Sequence, residues 1–133
     1  MSILSVFTDA SCFTREENKF FRIGYTMFVE NRLVYEFFSD NIHVNKEYTS
    51  LHGEALAIIH AINTITSHKT NISHFNIHHV CITSDCKAVS SFIKDAGLND
   101  FLKILEKEKV SIVIRHKSRN NPRIKYVDNN LRY

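Results

Sequence analysis

The hydrophobic pattern opens with strand-like alternation and first changes period near residue 50. Residues 3–9, ILSVFTD, are rich in β-formers and run into the polar stretch Ser11–Lys19, which predicts a strand followed by a loop. Residues 22–29 alternate, with Ile23, Tyr25, Met27 and Val29 on one side, and residues 32–38 alternate through Leu33, Tyr35 and Phe37. The two-residue link Glu30-Asn31 makes these two strands a hairpin. Then Leu51, Ala55, Ile58, Ile62 and Ile65 recur at spacings of three and four, which predicts an amphipathic helix over 51–66, capped by Thr49 or Ser50. Ser67–Asn76 is polar and loop-like. Residues 79–84 predict a fourth strand, Cys86–Lys94 and Asn99–Lys107 two short helices, and Val110–Arg115 a fifth strand. Ser118–Pro122 is a loop, and Arg123–Arg132 a last short helix.

The predicted order is β-β-β-α-β-α-α-β-α. A meander followed by alternating helices and strands implies an α/β fold: one mixed five-stranded sheet with helices packed on it, strand four lying parallel to strand one. The 133 residues fit a single domain, 1–133, large enough for a real core. No apolar run reaches the roughly 20 residues that span a bilayer. The opening MSILSVFTDA lacks a basic n-region, and the three cysteines, Cys12, Cys81 and Cys86, are few and odd in number. Together these point to free thiols and a cytoplasmic chain without membrane association. His74, His78 and His79 with Cys81 match no common zinc spacing and read as loop and strand-start residues.

Charge adds something only through its distribution. The net charge is +3, but Arg115–Tyr133 holds six basic residues and a single acid, Asp128. Such a stretch suits a phosphate backbone, with Lys117, Arg119 and Arg123 as contact candidates, although a solvated surface gives the same composition.

The candidate chemistry lies in the acids. Asp9 ends the first predicted strand and Asp85 the fourth; if these are parallel neighbours, the two ends lie about 4.8 Å apart. Carboxylates at that spacing repel and require a counter-charge. Glu54, in the first turn of the long helix, flanks its apolar stripe and can face the sheet, and Asp128 sits on the last helix. Turn or helix-dipole roles would account for each acid singly. Four oxygen donors at one sheet edge instead suit Mg2+ or Mn2+, and two such ions serve phosphodiester cleavage. Ser11 and Cys12, following Asp9, would offer backbone amides to a ribose or phosphate.

These fragments carry a family resemblance. Phe7-Thr8-Asp9-Ala10-Ser11 resembles the hydrophobic-Thr-Asp-Gly-Ser opening of the ribonuclease H family. Thr49–Ala55, with Glu54, is similar to its helix start; Ile82-Thr83-Ser84-Asp85-Cys86 to its strand end; and Tyr126–Leu131, with Asp128, to its final helix. The four occur in the family's order across residues 5–132. The resemblance implies metal-dependent cleavage of the RNA strand of RNA–DNA hybrids, with Asp9, Glu54, Asp85 and Asp128 as ligands to two Mg2+ or Mn2+ ions. It leaves room for a replication-associated protein partner. The chain departs from the pattern at several places. Ala10 replaces a Gly, Ile124 stands where the family often has Asn, and Ser118 stands where a loop His is usual, with His116 nearby as a substitute. No basic handle helix is evident, and the final helix stops soon after Asp128. These departures bear on hybrid affinity and rate. Two other classes fit the same residues: a nucleic-acid-binding module that keeps the fold without cleavage, and another nuclease of the superfamily, a junction resolvase or exonuclease. The full carboxylate set argues against the first. The meander before Glu54 and the Val-Asp-Asn-Asn-Leu ending argue against the second.

Overall fold

A computed structural model describes residues 2–67, 77–89, 91, 92 and 111–131. Among the described residues the strands are β1 (Ser2–Arg15), β2 (Asn18–Val29), β3 (Arg32–Phe38), β4 (Ile42–Val44), β5 (Ile77–Ser84) and β6 (Ser111–His116), and the helices are α1 (Ser50–Ser67) and α2 (Pro122–Leu131). They form one mixed sheet in the order β3-β2-β1-β5-β6, with β4 added to β2. The meander pairs antiparallel, and β1–β5 and β5–β6 pair parallel. The predicted helix over Asn99–Lys107 and nearly all of the Ser67–Asn76 loop lie outside the described residues. Of the segment predicted as a helix from Cys86, the amides of Val89 and Phe92 bond to the carbonyls of Cys86 and Ala88. No helix among the described residues is long and apolar enough to cross a membrane.

Two features differ from the sequence reading. First, β1 does not end at Asp9. It runs to Arg15, paired with β2 to the last residue, so the polar stretch Ser11–Lys19 forms a hairpin and not a loop. Ser11 and Cys12 are therefore strand residues whose backbones pair with Arg22 and Phe21. Second, three residues, Ile42–Val44, form a strand too short to carry a pattern of its own.

The hairpin turns at Glu16-Glu17, and both residues take positive φ, 52° and 67°. The same pair of angles occurs at Glu30-Asn31. A two-residue turn of this kind matches the strand twist but favours Asn-Gly, because a Cβ is strained in left-handed backbone. Replacing Glu16-Glu17 by Asn-Gly is expected to stabilise the protein by about 1 kcal/mol. A thermal melt checks this; an unchanged or lower melting temperature would show that the glutamates are not strained there.

The main core lies between the sheet and α1, where Val6, Tyr25, Ile58, Ile62, Val80 and Ile82 are fully buried. Tyr25 carries its hydroxyl into this layer and satisfies it with His60 Nδ1 at 2.8 Å and Thr64 Oγ1 at 2.6 Å. The opposite face is covered by α2, whose Ile124, Val127 and Leu131 pack on Phe7, Phe28 and Phe38. That helix lies close to the strand: a Cβ at Gly24 would meet Leu131 at 3.0 Å and Phe38 at 2.7 Å. Asp9 pairs with Gly24 in the β1–β2 ladder, so this close approach brings the helix carrying Asp128 to the strand carrying Asp9.

A candidate metal centre at the split between two strands

Topology makes the site. The parallel pairing of β1 with β5 ends at Phe7 and Thr83, after which β1 continues with β2 alone. The split beyond Phe7 leaves room for side chains, and Asp9 is the second residue into it. On the other side β5 ends at Ser84. The buried Ser84 hydroxyl accepts the Cys86 amide at 3.1 Å, and its carbonyl accepts the Lys117 amide at 3.0 Å. These two bonds make a tight turn with Asp85 at its centre.

Glu54 comes from the first turns of α1. The Thr49 carbonyl accepts the His52 and Gly53 amides, at 3.0 and 3.3 Å. In return the Thr49 amide donates to His52 Nδ1 at 3.0 Å. The His52 ring thus reaches back to the Thr49 amide as the Glu of a capping box would, and Thr49 is one of the two caps, with Ser50, that the sequence offered. The turn at Gly53 lies against the sheet: a Cβ there would be in ordinary contact with that of Ala10, 3.4 Å away. Glu54 is thereby buried beside Asp9.

One carboxylate oxygen from each of Asp9, Glu54 and Asp85 lies within 4.8 Å of the others. Asp128, on α2, lines the same cleft and adds its charge to the field at Asp9. The cleft encloses about 470 Å3. Burial, and then the Asp85 charge, push the Asp9 carboxyl up to about 7. Burial and the charges of Asp9 and Asp85 push Glu54 up to about 10. Asp9 accepts the Ala10 amide at 2.9 Å. Glu54 Oε2 is buried with no hydrogen-bond partner. The well-exposed Arg119 brings its Nε to 4.0 Å from Asp85 Oδ2. Hard oxygen donors, an orphaned buried carboxylate oxygen and an excess of negative charge together fit a divalent cation.

The basic residues divide. Arg119 lines the cleft, and so do Asn120 and Lys125, which sequence reasoning missed. Lys125 was nevertheless legible, because it precedes Asp128 by three residues and shares its face of a helix. Lys117 is exposed next to the cleft loop but does not line the cleft, and His116, exposed at the end of β6, does not line it either. Arg123 is elsewhere. Its guanidinium stacks 3.9 Å from the centre of the Phe28 ring and donates to Asn31 Oδ1 at 3.0 Å. It fastens α2 to the β2–β3 hairpin and is not presented to a phosphate in the cleft. The loop leading to α2 is set by Asn121, whose side chain accepts the Arg123 amide at 3.0 Å, followed by Pro122 at the first helical position.

No family model and no curated protein matches the sequence. Solved structures do match. Ribonuclease H1 of the halophilic archaeon Halobacterium salinarum superposes with a TM-score of 0.61 at 17% identity, over 97% of this chain and 96% of that one. LC11-RNase H1, solved in complex with an RNA/DNA hybrid, gives 0.62 at 16% identity over 97% and 99%. The N-terminal RNase H domain of a Mycobacterium tuberculosis protein gives 0.63 at 13% identity over 96% and 93%. Coverage of nearly the whole chain on both sides, with the split strands and the two flanking helices in place, establishes a ribonuclease H-like fold.

Proposed function

We propose that the chain is a divalent-metal-dependent endoribonuclease that cuts the RNA strand of RNA–DNA hybrids. The observation that carries this reading is the approach of Asp9, Glu54 and Asp85 to within 4.8 Å at the strand split. Similarity to a fold whose solved examples include a hybrid complex supports the choice of substrate. Asp9, Glu54, Asp85 and Asp128 would hold Mg2+ or Mn2+, two ions on the family's pattern. When bound, such ions activate water and stabilise the charge that develops in phosphodiester cleavage.

The chain's own residues do the rest. Asp9 and Asp85 stay fixed because one is held by a ladder and the Ala10 amide and the other by the Ser84 turn. Arg119 and Lys125 bring positive charge to a cleft of acids, so a phosphate can approach it. His116, next to the loop, is the candidate for proton transfer or product release; reaching the cleft would require it to turn inward on substrate binding.

The test is cleavage of four end-labelled substrates, a hybrid, duplex DNA, duplex RNA and a four-way junction, with Mg2+ or Mn2+. The RNA strand of the hybrid is expected to be cut internally and the others spared, because the 2′-hydroxyl distinguishes the strands. Equal cleavage of both strands, or preference for the junction, would move the protein to another nuclease class. Binding without any cleavage would make it a binding module.

A further inference from the structure

Beside the cleft stands an aromatic group that the cleavage chemistry does not use. Tyr48 is 45% exposed, on the loop that enters α1. Its ring lies face to face with that of His52, at 4.9 Å between centroids and 16° between planes. His52 meets the edge of Phe92 in turn, at 4.9 Å and 78°. The cluster joins two segments, the start of α1 and the stretch after β5. These same segments supply Ser50, Glu54, Asp85 and Cys86 to the cleft; Tyr48 does not line it but stands two residues before Ser50, which does.

The ring is held, not merely exposed. Lys19 Nζ donates to the carbonyls of Lys46 at 3.1 Å and Tyr48 at 2.6 Å, bridging the loop to β2. The Tyr48 amide donates to the Asn45 carbonyl at 3.0 Å, and the Glu47 amide to Asn45 Oδ1 at 3.1 Å. His52 is itself fixed by Thr49. With one face on His52 and the rest of the ring open to water on a braced loop, Tyr48 is suitably placed for stacking. Every nucleobase has a π-face, so an aromatic platform next to a strand-binding cleft accepts an unpaired base of any identity. A base paired inside a duplex offers no free face.

We infer that Tyr48, braced by His52 and Phe92, is a stacking platform for an unpaired nucleobase flanking the duplex in the cleft. The inference rests on the nuclease reading above. It narrows the substrate class to hybrids that adjoin a single strand.

The test measures binding in the cleavage-impaired Asp9→Asn background. Two hybrids are compared, one blunt and one carrying a short single-stranded extension with 2-aminopurine as its first unpaired base. The extended hybrid is expected to bind roughly 5- to 150-fold more tightly, the range of one base–aromatic stack, with the probe's fluorescence quenched. Tyr48→Phe should keep both effects. Tyr48→Leu, which keeps an apolar contact on His52 but has no π-face, should lose both. The salt dependence of binding should not change between them, because a stack releases no counter-ions. Loss of melting temperature in Tyr48→Leu with the extension's advantage intact would reduce Tyr48 to a helix-start packing residue and overturn the inference. So would equal binding of the two hybrids by a protein that cleaves hybrid. If the unaltered protein neither binds nor cuts hybrid, the nuclease reading itself has failed.

Discussion

Asp85→Asn is expected to cut the rate of hybrid cleavage by at least about a hundredfold, the cost of misplacing reacting groups by 1 Å, while raising the melting temperature of the metal-free protein. Opposite signs for activity and stability follow from one fact: Asp9, Glu54 and Asp85 repel one another at the distances seen. Removing one charge relieves the other two. It also removes a cation ligand that is fixed by the Ser84 turn and is not easily replaced. Asp9→Asn should behave the same way on activity. On stability its gain should be smaller, because Asp9 also accepts the Ala10 amide. Asn at the exposed Asp40, away from the cleft, should change neither quantity. Cleavage assays and thermal melts of the same samples decide the matter. A variant that is both active at the parent rate and less stable without metal would make these aspartates ordinary turn residues.

The second large effect is a pH dependence that a metal should reverse. Burial raises Asp9 from 3.8 to about 7 and Glu54 from 4.5 to about 10. Both carboxyls hold protons in the folded state that the unfolded chain releases from about pH 4 upward. Stability is therefore greatest below about pH 4 with respect to these groups. It falls as pH rises towards 7 through Asp9, and further through Glu54. The slope is about 1.4 kcal/mol per pH unit for each proton held. The metal-free protein is thus expected to melt lower at pH 8 than at pH 5.5. Adding Mg2+ or Mn2+ at a hundred times its Kd should stabilise it by about 2.7 kcal/mol, and the gain should shrink towards pH 5.5, where protons compete for the same oxygens. Glu54→Gln should flatten the metal-free profile. A melting temperature that rises from pH 5.5 to 8 without metal, or that ignores divalent ions at matched ionic strength, would contradict the assignment.

The acids were legible because each stands where a period changes: Asp9 and Asp85 at the close of apolar runs, Glu54 at the start of a helical stripe, Asp128 alone among bases. What the sequence hid was how they meet. Asp9 lies within a strand, and the break that matters is the loss of its parallel neighbour after Phe7, which no pattern within one segment records. The extension of β1 past Asp9 was obscured by its polar residues and by a turn built from Glu16-Glu17, without the Asn or Gly that announces a hairpin. The packing of Arg123 was hidden for a related reason. Composition places it in a basic tail, but its partners, Phe28 and Asn31, are far away in sequence. The third strand, Arg32–Phe38, was read to the residue because its hairpin link and its alternation agree.

The fastening of α2 has a consequence for the order in which the site comes into being. Ten residues are too few for a helix to persist alone in water. This one is held by Arg123 on Phe28, by the Tyr126 hydroxyl on Glu36 at 2.9 Å, and by Arg22, which donates to the Leu131 carbonyl at 3.3 Å. All three anchors reach back to β2 and β3, or to the turn between them, and α2 leaves the ribosome after every strand it grips. In the order of synthesis three of the four acids, and every strand that α2 grips, therefore precede the last acid. The cleft gains Asp128 and Lys125 in a single docking step, so its set of acids is complete only once α2 is seated.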